Sequence, residues 1–422
     1  MGTANKPRVV IVGGGPTGLA AALLLKNNNF VVPVIYDEYI EPTTLGGAIG
    51  IPPNGLRLTK LLGIYDEVMN RGSSATDIIL HSVKGTVIGH LDMISWSKSQ
   101  TGFGLLKIKR SDLMEVLCGA VERAGIQIHR GKRLVGIKDG GQEVTATFSD
   151  GTTDTAQFIL GCDGVHSSVR KLYVDPAIEP EYTGISDYYA LVPTSERPTP
   201  PGSLEGFHAT FTRDGMFALM SCTKSYDENY WFFSYAVPGP ADGSGADAWQ
   251  KHNQQQVENF QPILQETLED VKGQWGDTLR DFVKQSKLVK FHPIFSLPIG
   301  GKWHRGRCLL LGDAAHAMSP HTSQGTSMAL EDVFMLSRVL SETSLPIEET
   351  FSLYDEKRRP RVNEMKTAAK ANGEGRKKTG PWRLWFNELV EGLAVGIFNA
   401  LDLQKFGLGQ TAMVYDIMAE KI

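Results

Sequence analysis

Arg8-Val9-Val10-Ile11-Val12-Gly13-Gly14-Gly15-Pro16-Thr17-Gly18-Leu19-Ala20-Ala21-Ala22 is the stretch that decides the fold of this chain. Its first five residues read as a buried strand, and the apolar run from Gly18 to Asn27 reads as a helix. Between them stands Gly13-x-Gly15-x-x-Gly18, with Thr17 inside the turn. At that spacing glycine permits a tight turn, lets backbone approach a pyrophosphate and allows helix to pack closely on strand. The helix N-terminus then faces the negative charge. A second strand is expected over 32–36, and Asp37 at its end is suitably placed for a ribose 2′-hydroxyl, with Glu38 as the fallback. Strand, helix and acid in register favour a dinucleotide site over a plain glycine-rich turn.

Outward from this βαβ opening, a Gly- and Pro-rich loop leads to a helix over 111–124. Strands over 127–129, 134–138, 144–148 and 156–161 follow, the last ending at Asp163-Gly164. From about residue 176 the texture changes. Strand-like segments over 207–212, 216–222 and 230–237, separated by Arg213-Asp214-Gly215 and Asp227-Glu228-Asn229, predict an antiparallel sheet flooring a substrate pocket. A Gln- and Glu-rich helix is expected over 247–271. The first domain then resumes with a strand over 308–311, Gly312-Asp313 and a helix over 325–340. The expected fold is α/β: a Rossmann-like domain over 1–175 and 301–345, an inserted sheet domain over 176–300, and a helical C-terminal region over 346–422.

Composition excludes several classes of function. With 422 residues the chain has room for two domains, and its 41% apolar and 21% charged residues are ordinary globular values. A net charge of −4 gives no global field to recruit nucleic acid. Cys118, Cys162, Cys222 and Cys308 stand far apart, which argues against a dithiol centre, a zinc site or a secreted disulfide framework, and for a cytoplasmic setting. No metal-ligand spacing occurs among the ten histidines, so no metal is expected. The apolar run from Val9 to Leu25 is broken by glycines and followed by Lys26-Asn27-Asn28, unlike a signal peptide. The uncharged part of the Trp-rich tail, from Gly392 to Leu401, is shorter than the roughly 20 residues a spanning helix needs. It is expected to cap the substrate domain or form a lid, with peripheral membrane contact as the lesser reading; oligomeric state stays open.

Three further segments fall in order along the chain. Arg110, in Lys109-Arg110-Ser111-Asp112-Leu113, stands just before the helix. Asp163-Gly164-Val165-His166-Ser167-Ser168-Val169-Arg170 ends a strand. Gly312-Asp313-Ala314-Ala315-His316 continues through Pro320 to Gln324-Gly325 and on to Glu331-Asp332. Together with the glycine turn and Gly47-Ala48-Ile49-Gly50, the sequence resembles the FAD-dependent aromatic hydroxylases of the salicylate- and 4-hydroxybenzoate-hydroxylase type. The resemblance implies FAD as cofactor, NADPH or NADH as transient reductant, and O2 as co-substrate. It implies hydroxylation, or epoxidation, of an electron-rich small molecule through a flavin C4a-hydroperoxide. No second glycine fingerprint follows a strand, in keeping with a nicotinamide nucleotide that only docks. The resemblance places cofactor contacts at Gly13, Gly15, Thr17, Gly18, Asp37, Gly47, Ala48, Arg110, Asp163, Arg170, Asp313, Pro320, Gln324 and Gly325, with Asp163 and Arg170 serving the nicotinamide as well.

One departure stands out: the family usually has Gly-Gln-Gly where this chain has Ser323-Gln324-Gly325. Milder readings exist for single residues. Asp313 alone is a helix N-cap, Asp163-Gly164 a turn, and His316 a packed, hydrogen-bonded histidine rather than a catalyst. Lys357-Arg358-Arg359-Pro360-Arg361 reads as a solvated helix face. On the substrate side the candidates are His208, Phe217, Tyr230 and Phe232, although aromatic stripes on strands are usually core and the sequence does not choose the face. A reductase on the same fold and a non-catalytic flavin- and ligand-binding protein are the alternatives.

Overall fold

The turn leaving the first strand has no room for a side chain. Gly13 sits at φ +107°, and a Cβ there would meet the Cys162 carbonyl oxygen at 2.4 Å; one on Gly18 would meet the Gly13 oxygen at 2.0 Å. Glycine at these two positions brings helix Pro16–Asn27 down onto strand Arg8–Val12 and its neighbour Phe158–Gly161. The computed structural model describes residues 7–28, 31–42, 46–193, 195, 204–241, 243 and 245–422.

A six-stranded sheet runs in the order His304–Arg305, Cys308–Leu310, Phe158–Gly161, Arg8–Val12, Val32–Tyr36, Gln127–His129. All pairings are parallel except the short one between His304–Arg305 and Cys308–Leu310. Near-continuous Val, Ile and Leu in these strands fit a sheet covered on both faces, and Val9, Val10, Ile11, Ile159 and Leu160 are fully buried. The chain therefore returns to this sheet at residue 308 after some 140 residues spent elsewhere, as the sequence pattern predicts. One expected strand divides. Thr153–Ala156 pairs with Val144–Phe148, whereas Phe158–Gly161 enters the parallel sheet.

The second sheet has seven strands, in the order Lys290–Ser296, Glu181–Pro193, Glu228–Ala236, Gly215–Ser221, Phe207–Phe211, Ile78–His81, Val87–Leu91. It is antiparallel except where Phe207–Phe211 runs parallel to Ile78–His81. Two of its strands thus come from before residue 100. Its second strand, Glu181–Pro193, was not visible as a regular alternation, because its register shifts between Tyr182 and Ser186. Helices Phe260–Leu268 and Gly273–Gln285 cover one face of this sheet, over Phe217, Leu219, Trp231 and Phe233. The other face carries Phe207, Met220, Tyr230 and Phe232 and packs Ala48 of the first domain. A two-stranded ribbon, Ala48–Ile51 with Leu106–Lys109, stands between the two sheets' residues. Helix Ile347–Glu374 packs along helix Gly325–Glu342, and helix Pro381–Ala400 lies against strand Val87–Leu91.

Candidate cofactor and substrate site

Two strand-to-helix turns meet at one edge of the parallel sheet. A Cβ on Gly312, which has φ +59°, would lie 2.7 Å from Thr17 Oγ1, so the second turn is seated on the first. Around that contact the backbone is open: nothing lies within 4 Å of the Cβ positions of Gly15 or Gly325. Asp313 is exposed while Gly312, Ala314 and Ala315 beside it are buried, so its carboxylate is presented on the surface of the turn. Asp37 lies close under the glycine turn, accepts a hydrogen bond from the Tyr39 amide at 3.2 Å and pairs with Arg130 at 3.7 Å. Open donor amides at a helix N-terminus, with an acceptor carboxylate at the end of the second strand and another on the facing turn, are the hydrogen-bonding groups a dinucleotide needs.

Gly46 and Gly47 shape the far side. A Cβ on Gly46 would meet the Arg110 side chain at 2.6 Å, and one on Gly47 would meet the Tyr230 ring at 2.0 Å. The Arg110 amide donates to the Gly47 carbonyl at 2.9 Å, which holds the Gly47-Ala48 segment against Tyr230 of the seven-stranded sheet. Ser323 has φ +53°, the left-handed conformation that glycine adopts freely. Serine there carries strain that the family's usual glycine avoids. Pro320 opens a short 3-10 turn, Pro320–Thr322, just before it.

A buried charge network ties the Gly312 turn to the Gln324 turn. Arg358 is fully buried and donates from Nε to Asp332 at 2.9 Å and from Nη1 to Glu331 at 2.9 Å. Asp332 also accepts from the Gly312 amide at 2.9 Å and pairs with His316 Nε2 at 2.6 Å. Asn54 donates to Glu331 at 2.8 Å and to Gln324 at 3.0 Å. Burial opposes ionisation of Asp332, but His316, Arg358 and the Gly312 amide outweigh it and hold the carboxyl down at about 2. The expectation of a solvated basic face over 357–361 is therefore corrected at Arg358, which charge run alone could not separate from its neighbours. His316 is the packed, hydrogen-bonded histidine expected.

Asp163 and Arg170 bond to backbone of their own and the neighbouring turn. The Asp163 carboxylate accepts from the amides of Ser168 at 2.6 Å and Val169 at 3.1 Å, capping its own turn. Arg170 is buried, and its three nitrogens donate to the carbonyls of Ala314, Val165 and Ile178 at 2.7, 2.5 and 3.3 Å. It ties the Asp163-Gly164 turn to the Asp313 turn. Two of the substrate candidates lie on the sheet face away from the first domain. Phe217 packs under the covering helices. His208 is on the same face, 3.0 Å from His81 Nε2, and burial lowers its pKa to about 4. His81 stacks on Trp275 and His208 lies tilted against it, and Trp275 Nε1 donates to Thr210 at 2.8 Å.

Tyr230 and Phe232 are on the face toward the first domain, and there the sequence had missed a polar group. Asp187 lies on that face, in register with Ser234 and beside His292. Its Oδ1, His321 Nε2 and Arg376 Nε are sealed from solvent without a hydrogen-bond partner among the described residues. Burial raises the Asp187 carboxyl to about 6, although Ser234 and Arg376 act to lower it. The segment carrying Arg376 lies against His321: a Cβ on Gly373, three residues before Arg376, would lie 3.0 Å from the His321 ring.

Comparison with known proteins agrees with this geometry. A family model described as "FAD binding domain" matches residues 6–284 and 299–369. The 6-hydroxynicotinate 3-monooxygenase of Pseudomonas fluorescens is 29% identical over 376 residues, covering 87% of this chain and 91% of its own. The 3-amino-4-hydroxybenzoate 2-monooxygenase of Streptomyces cremeus is 26% identical, covering 87% of each chain. The fold is that of a solved structure of Klebsiella pneumoniae HpxO complexed with FAD and uric acid, at a TM-score of 0.77, 21% identity and coverage of 95% and 97%.

Proposed function

The chain belongs to the FAD-binding family just described, and on that premise we propose that it is a single-component flavoprotein monooxygenase. It takes electrons from NADPH or NADH and uses O2 to hydroxylate a planar aromatic or heteroaromatic substrate bearing an ionisable hydroxyl or ring N–H. FAD, when bound, supplies the activation of oxygen once it has been reduced. The amides from Gly13 to Gly18 hold the pyrophosphate, Asp37 a ribose and Asp313 the ribityl hydroxyls. The N-terminus of helix Gly325–Glu342, with the Gln324 and Gly325 amides, favours negative charge at the pyrimidine end. Asp163 and Arg170 act as positioning residues for these turns.

The rest falls to the seven-stranded sheet. Tyr230 and Phe232 pack the substrate ring and exclude water. Asp187 Oδ1 accepts the proton of the substrate hydroxyl or N–H, which makes the ring a stronger nucleophile toward an electrophilic oxygen. Arg376 and His321 set the charge at the same wall. The observation that carries this reading is Asp187: a sealed, unpartnered carboxylate oxygen on the face that meets the first domain, with its pKa raised to about 6. The strands Ile78–His81 and Val87–Leu91 belong with the substrate domain, and the FAD domain is completed by residues 301–345. Four free cysteines, three of them buried, suit a cytoplasmic setting. Among the described residues no helix is long and apolar enough to cross a membrane.

The test is to reduce the FAD-loaded protein anaerobically with NADPH and with NADH. It is then mixed with labelled oxygen in the presence of phenols, hydroxypyridines and hydroxylated benzoates. One labelled oxygen atom in a ring product, together with substrate-stimulated nicotinamide oxidation, supports the proposal. Clean reduction and reoxidation with no labelled product across the panel overturns it in favour of a reductase.

A further inference from the structure

Helix Pro381–Ala400 is held by few side chains. Leu384 and Val395 are its only fully buried residues, Glu388 accepts from Ser82 Oγ at 2.9 Å and the Val83 amide at 2.8 Å, and Asn399 donates to the His90 carbonyl at 2.9 Å. These contacts fasten one side of the helix to the edge of the seven-stranded sheet. The opposite side is apolar along its whole length. Trp382 is 84% exposed, Trp385 51% and Leu393 60%, and Phe386, Leu389, Ile397 and Leu401 are exposed in the same way. Their spacing of three, four and seven residues puts them on one stripe. Gly396 belongs to that stripe, and the space where its Cβ would stand is empty to 4 Å.

We propose that this stripe is the dimer interface, covered by the same stripe of a second copy of the chain related by a two-fold axis. Three observations favour this occupant. The first is area. The exposed parts of the three aromatic rings and of the aliphatic side chains amount to on the order of 800 Å² per chain. That is about what one partner contributes to a standard interface of roughly 1,600 Å². The second is composition: tryptophan and phenylalanine with no charge at the centre is the make-up of an interface core. The third is charge. The helix carries one base, Arg383, against Glu388 and Glu391, and the whole chain is at −4, the reverse of what an anionic membrane surface attracts. In an antiparallel pair the stripe's midpoint falls between Glu391 and Gly392. Arg383 of one copy then lies toward Asp402 at the C-terminal end of the other, and the two helix dipoles oppose. The Gly396 hollow meets the large residues near Phe386 of the partner copy.

The test uses the full FAD-loaded chain. Sedimentation velocity and light scattering are expected to give twice the 46.3 kDa chain mass at micromolar concentration. Leu393→Glu and the milder Trp385→Ser are each expected to weaken the dimer at least 100-fold while leaving flavin absorbance and far-UV dichroism unchanged. Retained FAD distinguishes lost association from lost folding. A monomeric wild-type protein overturns the proposal, as does a dimer that withstands Leu393→Glu. A monomer that co-sediments with phosphatidylcholine or phosphatidylserine vesicles overturns it in favour of a membrane surface.

Discussion

Replacing Arg358 with methionine tests whether the buried charge network holds the cofactor turns together. The side chain is 0% exposed, as is Asp332, and Glu331 is 1% exposed. The substitution keeps the volume near constant and leaves two carboxylates without their shared cation. Removing one partner from a buried pair costs roughly 3–5 kcal/mol, because the remaining charge is desolvated and uncompensated. Here Asp332 keeps His316 and the Gly312 amide, and Glu331 keeps Asn54 and a 3.6 Å contact with Arg361. That places the loss at the lower end, about 3 kcal/mol. With a urea slope of about 3 kcal/mol/M for a chain of this size, the midpoint is expected to fall by roughly 1 M. Far-UV dichroism followed through the urea transition gives the midpoint. FAD retention should fall in step, since Gly312 and Gln324 are both held by the network. Adding Glu331→Gln and Asp332→Asn removes the stranded charges and is expected to recover part of the loss. A shift under about 0.2 M with full FAD loading would refute the reasoning.

Asp313→Ala is expected to weaken FAD binding at least 10-fold with little change in stability, since a hydrogen bond to a charged group is worth about 1.5–3 kcal/mol and the residue is exposed; a stoichiometrically yellow variant would remove Asp313 from the site. For substrate deprotonation, Asp187 works as the anion, so turnover should rise with pH through about 6, and Asp187→Asn should abolish that limb while leaving reduction by NAD(P)H unchanged; an unaltered pH profile would discard the base. Ser323→Gly is expected to be neutral or stabilising by up to ~1 kcal/mol, and Ser323→Val to cost about 1–3 kcal/mol, because only glycine is at ease at φ +53°; equal denaturation midpoints would contradict the strain. The folded-state pKa of Asp332 is depressed, so its contribution to stability is present above the unfolded carboxyl value and is lost as pH falls from about 4 toward 2; acid unfolding of Asp332→Asn should lack that component.

The parallel sheet was legible because its signals are local. The stretch from Arg8 to Gly18 holds strand, turn and helix within a few residues, and glycines at fixed offsets state where a Cβ cannot go. The return at Cys308 was legible for the same reason, through Gly312-Asp313. Three strands of the seven-stranded sheet were legible in the same way, over 207–212, 216–222 and 230–237, but its faces were not, because they are covered by partners distant in sequence. Phe217 and Phe232 are alike as residues; strand register sends them to opposite faces, one covered by helices Phe260–Leu268 and Gly273–Gln285 and the other packed by Ala48. His208 looked like a polar pocket residue until His81 and Trp275, from two other segments, closed around it. Asp187 had no motif at all; it becomes chemical only by burial on the side that faces the first domain.

The same contrast separates the motif residues that hold the turns from Asp313, which is presented on the surface. Asp163 and Arg170 belong to a recognisable motif, yet the bonds of the one close its own turn and those of the other reach Ala314, next to Asp313. Glu331 and Asp332 belong to another, and they reach Gly312, Asn54 and Arg358. Asp313 is the exception: it is exposed among buried neighbours, at the point on which both sets of bonds converge. A site that must present one carboxylate and two helix ends in fixed relation needs more residues to hold the geometry than to make the contacts. Motif membership in this chain therefore marks the frame as well as the contact. On that argument Arg170→Met should loosen both turns together, lowering FAD affinity and the denaturation midpoint in parallel. A loss confined to the rate of reduction by NAD(P)H, with FAD affinity and midpoint unchanged, would return Arg170 to the nicotinamide site.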